Sequence, residues 1–128
     1  MKPPSKSELV KHRILRSKET LGEVADLIDL EYYHTAVNRI YYACFYATTA
    51  LLLKNNIRAH THSGVKRMIS LHFVKTKKIT SLMGDFYSDL FDKRHTGDYD
   101  DFIEFDKQTV NELHQSAVEF IRAIEKLL

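Results

Sequence analysis

The stretch YHTAVNRIYYACFYATTALLLK, residues 33–54, decides how the rest of the chain is read. At helical spacing, Ala36, Ile40, Cys44, Ala47 and Leu51 form one apolar stripe, and Val37, Tyr41, Phe45 and Leu52 form a second. A helix that is apolar around most of its circumference must be covered on several sides at once. The segment therefore predicts a central helix surrounded by others, in an all-α protein. The same helix carries a polar stripe, Thr35, Asn38, Tyr42, Tyr46 and Thr49, with Arg39 beside it. Asn55-Asn56 end the pattern.

Four more helical patterns flank it. One runs from about Ser7 to Leu30, with Ser5 and Glu8 at capping-box spacing and an apolar stripe of Val10, Ile14, Leu21, Val24, Ala25 and Ile28. A short one, about Ser63–Phe73, is capped by Thr61 or Ser63 and turns Val65, Met68, Ile69, His72 and Phe73 inward. A fourth, about Ser81–Arg94, carries Leu82, Met83, Phe86, Tyr87, Leu90 and Phe91, and a polar loop at 95–101 follows. The last begins at Asp106 or Thr109, with Thr109 and Glu112 at capping-box spacing. It runs to Leu128 with Val110, Leu113, Ala117, Phe120, Ile121 and Ile124 on one face. Short connections between such helices make antiparallel neighbours, so the expected architecture is an up-and-down bundle of four to five helices, one domain over residues 1–128.

Composition agrees. Gly (4) and Pro (2) are too few for a turn-rich β protein, and 44% hydrophobic with 28% charged residues excludes a disordered chain. The single cysteine, Cys44, excludes an internal disulfide and lies among apolar neighbours, where a buried thiol is expected. The N-terminal residues contain no apolar signal region, and the longest apolar run, Ile40–Leu53, is shorter than the ~20 residues of a membrane span. A cytoplasmic protein without membrane contact is expected.

Charge is unevenly spread. Residues 1–31 balance, residues 32–84 hold eight bases and no acid, and residues 85–128 hold eleven acids against five bases. Either the acidic third packs beside the basic middle, within the chain or across a dimer, or the middle offers a positive surface to phosphate or nucleic acid.

Some polar residues stand where apolar ones are expected. Arg39, on the central helix, must be paired or face a cleft. Arg94, at the expected end of the fourth helix, serves either the helix dipole or a site. Asn38, Tyr42 and Tyr46 either bond between helices or wall a polar cleft shared with Arg94. In the second case Asp98 can hold an arginine bidentately, and Tyr99 can stack on a base. His60, His62 and His72 lack nearby carboxylate or Cys partners, so no metal site and no cofactor are expected. No phosphate-binding glycine loop, nucleophile elbow or HExxH pattern occurs.

Residues 36–43 (AVNRIYYA), with Phe45-Tyr46-Ala47 and Ala50-Leu51-Leu52, resemble the central helix of the HEPN domain, the higher eukaryote and prokaryote nucleotide-binding family. Thr61-His62-Ser63-Gly64-Val65, His72-Phe73, Arg94-His95-Thr96-Gly97-Asp98-Tyr99 and Ala117-Val118-Glu119-Phe120-Ile121 resemble its small prokaryotic members in order and spacing. The resemblance implies an α-helical bundle, commonly a homodimer, that meets nucleotides or RNA. Many such proteins pair with a minimal nucleotidyltransferase as toxin and antitoxin. The family's active toxins are metal-independent ribonucleases with an Arg followed, after four to six residues, by a His. The Arg stabilises charge on the phosphorane and the His moves protons. Arg94 matches. The positions where the His would fall are Tyr99, Asp100 and Asp101, so His62 or His95 would have to reach the cleft to replace it.

The expected function is thus a nucleotide- or RNA-binding module, with Asn38, Arg39, Tyr42, Arg94, Asp98 and Tyr99 as binding residues. The alternatives are a ribonuclease toxin using Arg94 and a different acid–base residue, and a structural partner subunit without ligand. A homodimer is expected because the central helix and the Leu82–Phe91 face carry more apolar surface than a five-helix monomer need bury.

Overall fold

The computed structural model describes residues 2–99 and 103–128, with the side chains of 96–99 left aside. Among these residues six α-helices follow one another: α1 Lys6–Gly22, α2 Val24–Asp29, α3 Tyr33–Lys54, α4 His62–Ile69, α5 Ser81–Tyr99 and α6 Lys107–Glu125. A π-helical turn, Ser70–Val74, extends α4. Among the described residues there is no strand.

The central helix is where the pattern placed it. α3 packs against all five other α-helices, most extensively against α1. Eleven of its residues are buried, including both apolar stripes apart from Phe45, which is half-buried. Around it, Val24 and Ile28 of α2, Val65 and Ile69 of α4, Phe73, Tyr87 and Leu90 of α5, and Val110, Phe120, Ile121 and Ile124 of α6 complete the core. The α1–α3 seam also buries Ser17 and Thr20. Ser17 donates to the Ala43 carbonyl at 2.6 Å, which satisfies its hydroxyl inside the core.

Among the described residues, side-chain caps start four helices. Ser5 accepts from the Glu8 amide, Thr61 from that of Gly64, Thr80 from that of Met83 and Asp106 from that of Thr109. Thr109 therefore sits inside α6, and its spacing to Glu112 is not a capping box. Left-handed residues close three helical segments. Asn56 has φ 58°; its amide bonds Leu53 O, and the next amide, of Ile57, bonds Leu52 O. Glu31 and Lys77 close α2 and the π turn with the same pair of bonds.

Four details depart from the sequence pattern. The long first helix breaks at Glu23, just after Gly22, where the Glu23 amide bonds Thr20 O, and Ala25 turns outward. In the π turn, the wider winding keeps Phe73 on the buried face that follows Val65 and Ile69, and leaves His72 exposed. On the fourth helix Leu82 is 78% exposed, because the register that buries Tyr87 and Leu90 points it away. That helix also continues through 95–99, where a loop was expected. A single interior glycine costs a helix only about 1 kcal/mol, so Gly97 does not stop it. Arg94 consequently lies more than a turn inside the helix and is not there to offset its terminal dipole.

Among the described residues, one ion pair, Lys66–Asp92 at 4.0 Å, connects the basic middle to the acidic third.

Candidate functional site

Three elements meet on one side of α3. Its consecutive tyrosines, Tyr41 and Tyr42, lie about 100° apart around the helix, so they present rings to adjoining directions. α5 brings Arg94 over both. The guanidinium carbon stands 5.3 Å from the Tyr41 ring centroid and 5.4 Å from that of Tyr42, within cation–π range. Arg94 Nη2 donates to the Tyr42 hydroxyl at 3.1 Å. The start of α4, fixed by the Thr61 cap, brings His62 onto the same rings. His62 stacks on Phe45 with centroids 4.5 Å apart and meets Tyr42 edge-on. Its Nδ1 lies 2.8 Å from Tyr41 Oη.

The electrostatics follow from this packing. Partial burial, helped by the Arg94 charge, lowers the His62 pKa, so the imidazole is neutral near pH 7. Burial pushes the Tyr41 phenol up to about 12, although Arg94 pulls it the other way. The cluster thus contains a fixed cation, a neutral imidazole and, at Tyr41, a phenol that stays protonated. It can hold an anion at Arg94 and a transferable proton at His62, and it offers aromatic faces to a base.

The residues singled out from the sequence separate here. Arg94 and Tyr42 come together directly, and Tyr46 adjoins Tyr42 with centroids 5.9 Å apart. Asn38 is half-buried one turn before Tyr42 on α3. Arg39 is elsewhere: it donates from Nε to Glu23 at 3.1 Å and from Nη2 to Thr20 at 3.4 Å, and so ties α3 to the α1–α2 junction. The side chains of Asp98 and Tyr99 lie outside the described residues. Of the two histidines that could stand in for the missing family His, His62 reaches the cluster and His95 is exposed.

Cys44 is fully buried, and burial raises its thiol far above the ordinary range, which removes it as a nucleophile. Among the described residues, no three His, Cys, Asp or Glu side chains come together as a metal site. No described helix is long and apolar enough to cross a membrane.

In the sequence, Tyr41 reads only as core. Its role beside Arg94 and His62 carried no separate signal, since a buried Tyr and a site Tyr occupy the same helical stripe.

Comparison with known proteins bears directly on this bundle. A UPF0332 protein of Thermotoga maritima is 40% identical over 123 residues, which cover 96% of this chain and 93% of that protein. Two proteins of Methanocaldococcus jannaschii carry the names "Putative toxin MJ0142" and "Putative toxin MJ0605". The first is 34% identical over 90% of this chain and 78% of its own length, the second 32% over 88% and 83%. The HEPN domain matches residues 10–127, which takes in α3, His62 and Arg94 alike; the chain belongs to the HEPN domain family.

Proposed function

We propose that this protein is a nucleotide- or RNA-binding HEPN module that works with a minimal nucleotidyltransferase partner, as in toxin–antitoxin pairs. One observation carries the binding reading: Arg94 is held over two tyrosine rings and oriented by the Tyr42 hydroxyl, which is a preorganised cation next to stacking surfaces. Phosphate would take the guanidinium and a base would take an aromatic face. The names of the two Methanocaldococcus proteins support a toxin-type setting.

Calorimetry with a panel of nucleotides and short RNAs, run with and without the nucleotidyltransferase, tests it. Saturable binding, weakened about tenfold or more by Arg94→Gln and by added salt, is the expected result. No binding to any member of the panel under either condition would end the proposal.

A second reading is favoured by His62. In a ribonuclease, the 2′-hydroxyl attacks the adjacent phosphorus, a base takes its proton, and the 5′-oxygen leaves with a proton. A proton on His62 Nδ1, donated to Tyr41 Oη, would leave the Nε2 lone pair available as that base, with Arg94 facing the phosphorane charge. The test is RNA cleavage that leaves 2′,3′-cyclic phosphate, is insensitive to EDTA and is lost in both His62→Gln and Arg94→Gln. RNA that is bound but remains intact over long incubation sinks this reading and leaves the first in place.

A further inference from the structure

A groove of about 660 Å³ runs between α1, the outer side of α3 and the 55–62 connection. We infer that it is a track for the backbone of single-stranded RNA, leading the strand past His62 to Arg94; this rests on the reading of Arg94 as a phosphate site.

The lining is cationic. Arg13 and Arg16 stand on α1, Arg58 and His60 on the connection, and no Asp or Glu lies among the lining residues. Lys18, Arg39, Lys66 and Lys93 each have a carboxylate partner, whereas Arg13, Arg16 and Arg58 make no ion pair among the described residues. Three arginines left uncompensated in one concave surface favour a polyanion.

The groove also has an aromatic platform. The Arg16 guanidinium lies 4.9 Å from the ring centroid of half-buried Tyr46, and Phe45 continues the surface toward His62. Arg13 is preset, donating to the Thr49 carbonyl at 3.2 Å. A basic groove that interleaves cations with stacking rings is how proteins hold single strands without reading sequence.

The layout selects a strand over a free nucleotide. The α3 residues lining the groove run from Phe45 to Leu53, about 12 Å at 1.5 Å per residue, and along it Arg16 sits at Tyr46 while Arg13 sits at Thr49, so these two cations are spaced apart instead of converging on one point. Nor is there a glycine-rich loop to cradle a triphosphate. His62 closes one end of the groove and stacks on Phe45, so the groove and the Arg94 cluster share a wall.

The experiment is fluorescence anisotropy with the full chain and labelled oligouridines, from dinucleotide to dodecanucleotide, with UTP as competitor. The variants are Arg13→Gln/Arg16→Gln/Arg58→Gln, the milder Arg16→Gln/Arg58→Gln and Arg94→Gln. The milder pair spares the Arg13–Thr49 contact, and circular dichroism checks that every variant folds. Affinity should rise about tenfold or more with length in the parent protein. The triple variant should keep dinucleotide binding and lose most of that gain. Its salt slope for the long strand should fall by about 2, at ~0.7 per phosphate contact. An unchanged gain in both groove variants overturns the proposal, as does a loss of UTP binding equal to the loss for the long strand. If Arg94→Gln leaves the dinucleotide unaffected while the groove variants lose the length gain, the Arg94 reading falls and the track stands. If the parent protein binds no oligonucleotide of any length, both fall.

Discussion

Arg94 on α5 and Tyr42 on α3, fifty-two residues apart in sequence, are joined by a 3.1 Å hydrogen bond from the guanidinium to the phenol. Tyr42→Phe removes the acceptor and keeps the ring beneath the cation. A hydrogen bond to a charged group contributes about 1.5–3 kcal/mol when buried, and both partners here are only half-buried. We therefore expect a loss of about 1 kcal/mol in urea denaturation, and weaker ligand binding than the parent but stronger than Arg94→Gln. Equal binding by Tyr42→Phe and the parent would mean that the bond does not orient the guanidinium.

His62 makes the cluster sensitive to pH in a definite direction. Its folded pKa lies below the ordinary 6.5, first through burial and second through Arg94. The unfolded chain thus takes up the proton first as pH falls. Stability from this residue is complete above about pH 6.5 and declines below it, toward the depressed folded value. His114, lowered by burial, contributes with the same sign. Denaturation midpoints between pH 5 and 7.5 should fall toward acid and flatten partly in His62→Gln. Arg94→Gln should raise the His62 pKa in an NMR titration, and a value that does not move would dissociate the two residues electrostatically.

Tyr87 is packed flat against Phe120, and its hydroxyl is buried beside Tyr41 and Thr48 without a well-formed hydrogen bond among the described residues. An unsatisfied buried hydroxyl costs about 1–3 kcal/mol. Tyr87→Phe should therefore leave the thermal midpoint unchanged or raise it. A drop of several degrees would reveal a partner for that oxygen in solution.

Two glycines should respond oppositely to alanine. A Cβ on Gly84 would come within 2.9 Å of Val74, where α5 crosses the π turn, and overpacking of that kind costs about 1–3 kcal/mol. Gly22 has nothing within 4 Å, so Gly22→Ala should gain up to about 1 kcal/mol by restricting the unfolded chain. Denaturant titrations of the pair test this; similar losses at both positions would refute the packing argument at Val74.

Homodimerisation, expected from the spare apolar surface, has a narrower basis once the chain is folded. Tyr87 and Leu90 are consumed by the core, and among the described residues Leu15, Leu30, Tyr32, Leu71 and Leu82 are the large apolar side chains left exposed. Light scattering at micromolar concentration distinguishes a particle of 15.0 kDa from twice that mass.

The all-helical character of the chain and the central place of α3 are legible in the order of its residues, because burial on several sides leaves a periodic apolar signature that survives without any tertiary information. The sequence also marks Arg94, Tyr42 and His62, each as a polar or ionisable residue lacking an evident local role. Which of them meet follows from how the helices pack. Arg39 and Tyr42 are three residues apart on one helix, yet Arg39 pairs with Glu23 and Tyr42 with Arg94, since each faces a different neighbour. Arg13 and Arg16 were hidden in a segment whose charges balance, and become a cationic wall only when α1 lies along α3 opposite Arg58. Periodicity records which side of a helix is buried. What lies across from it depends on how the helices are arranged around one another, which no local pattern encodes.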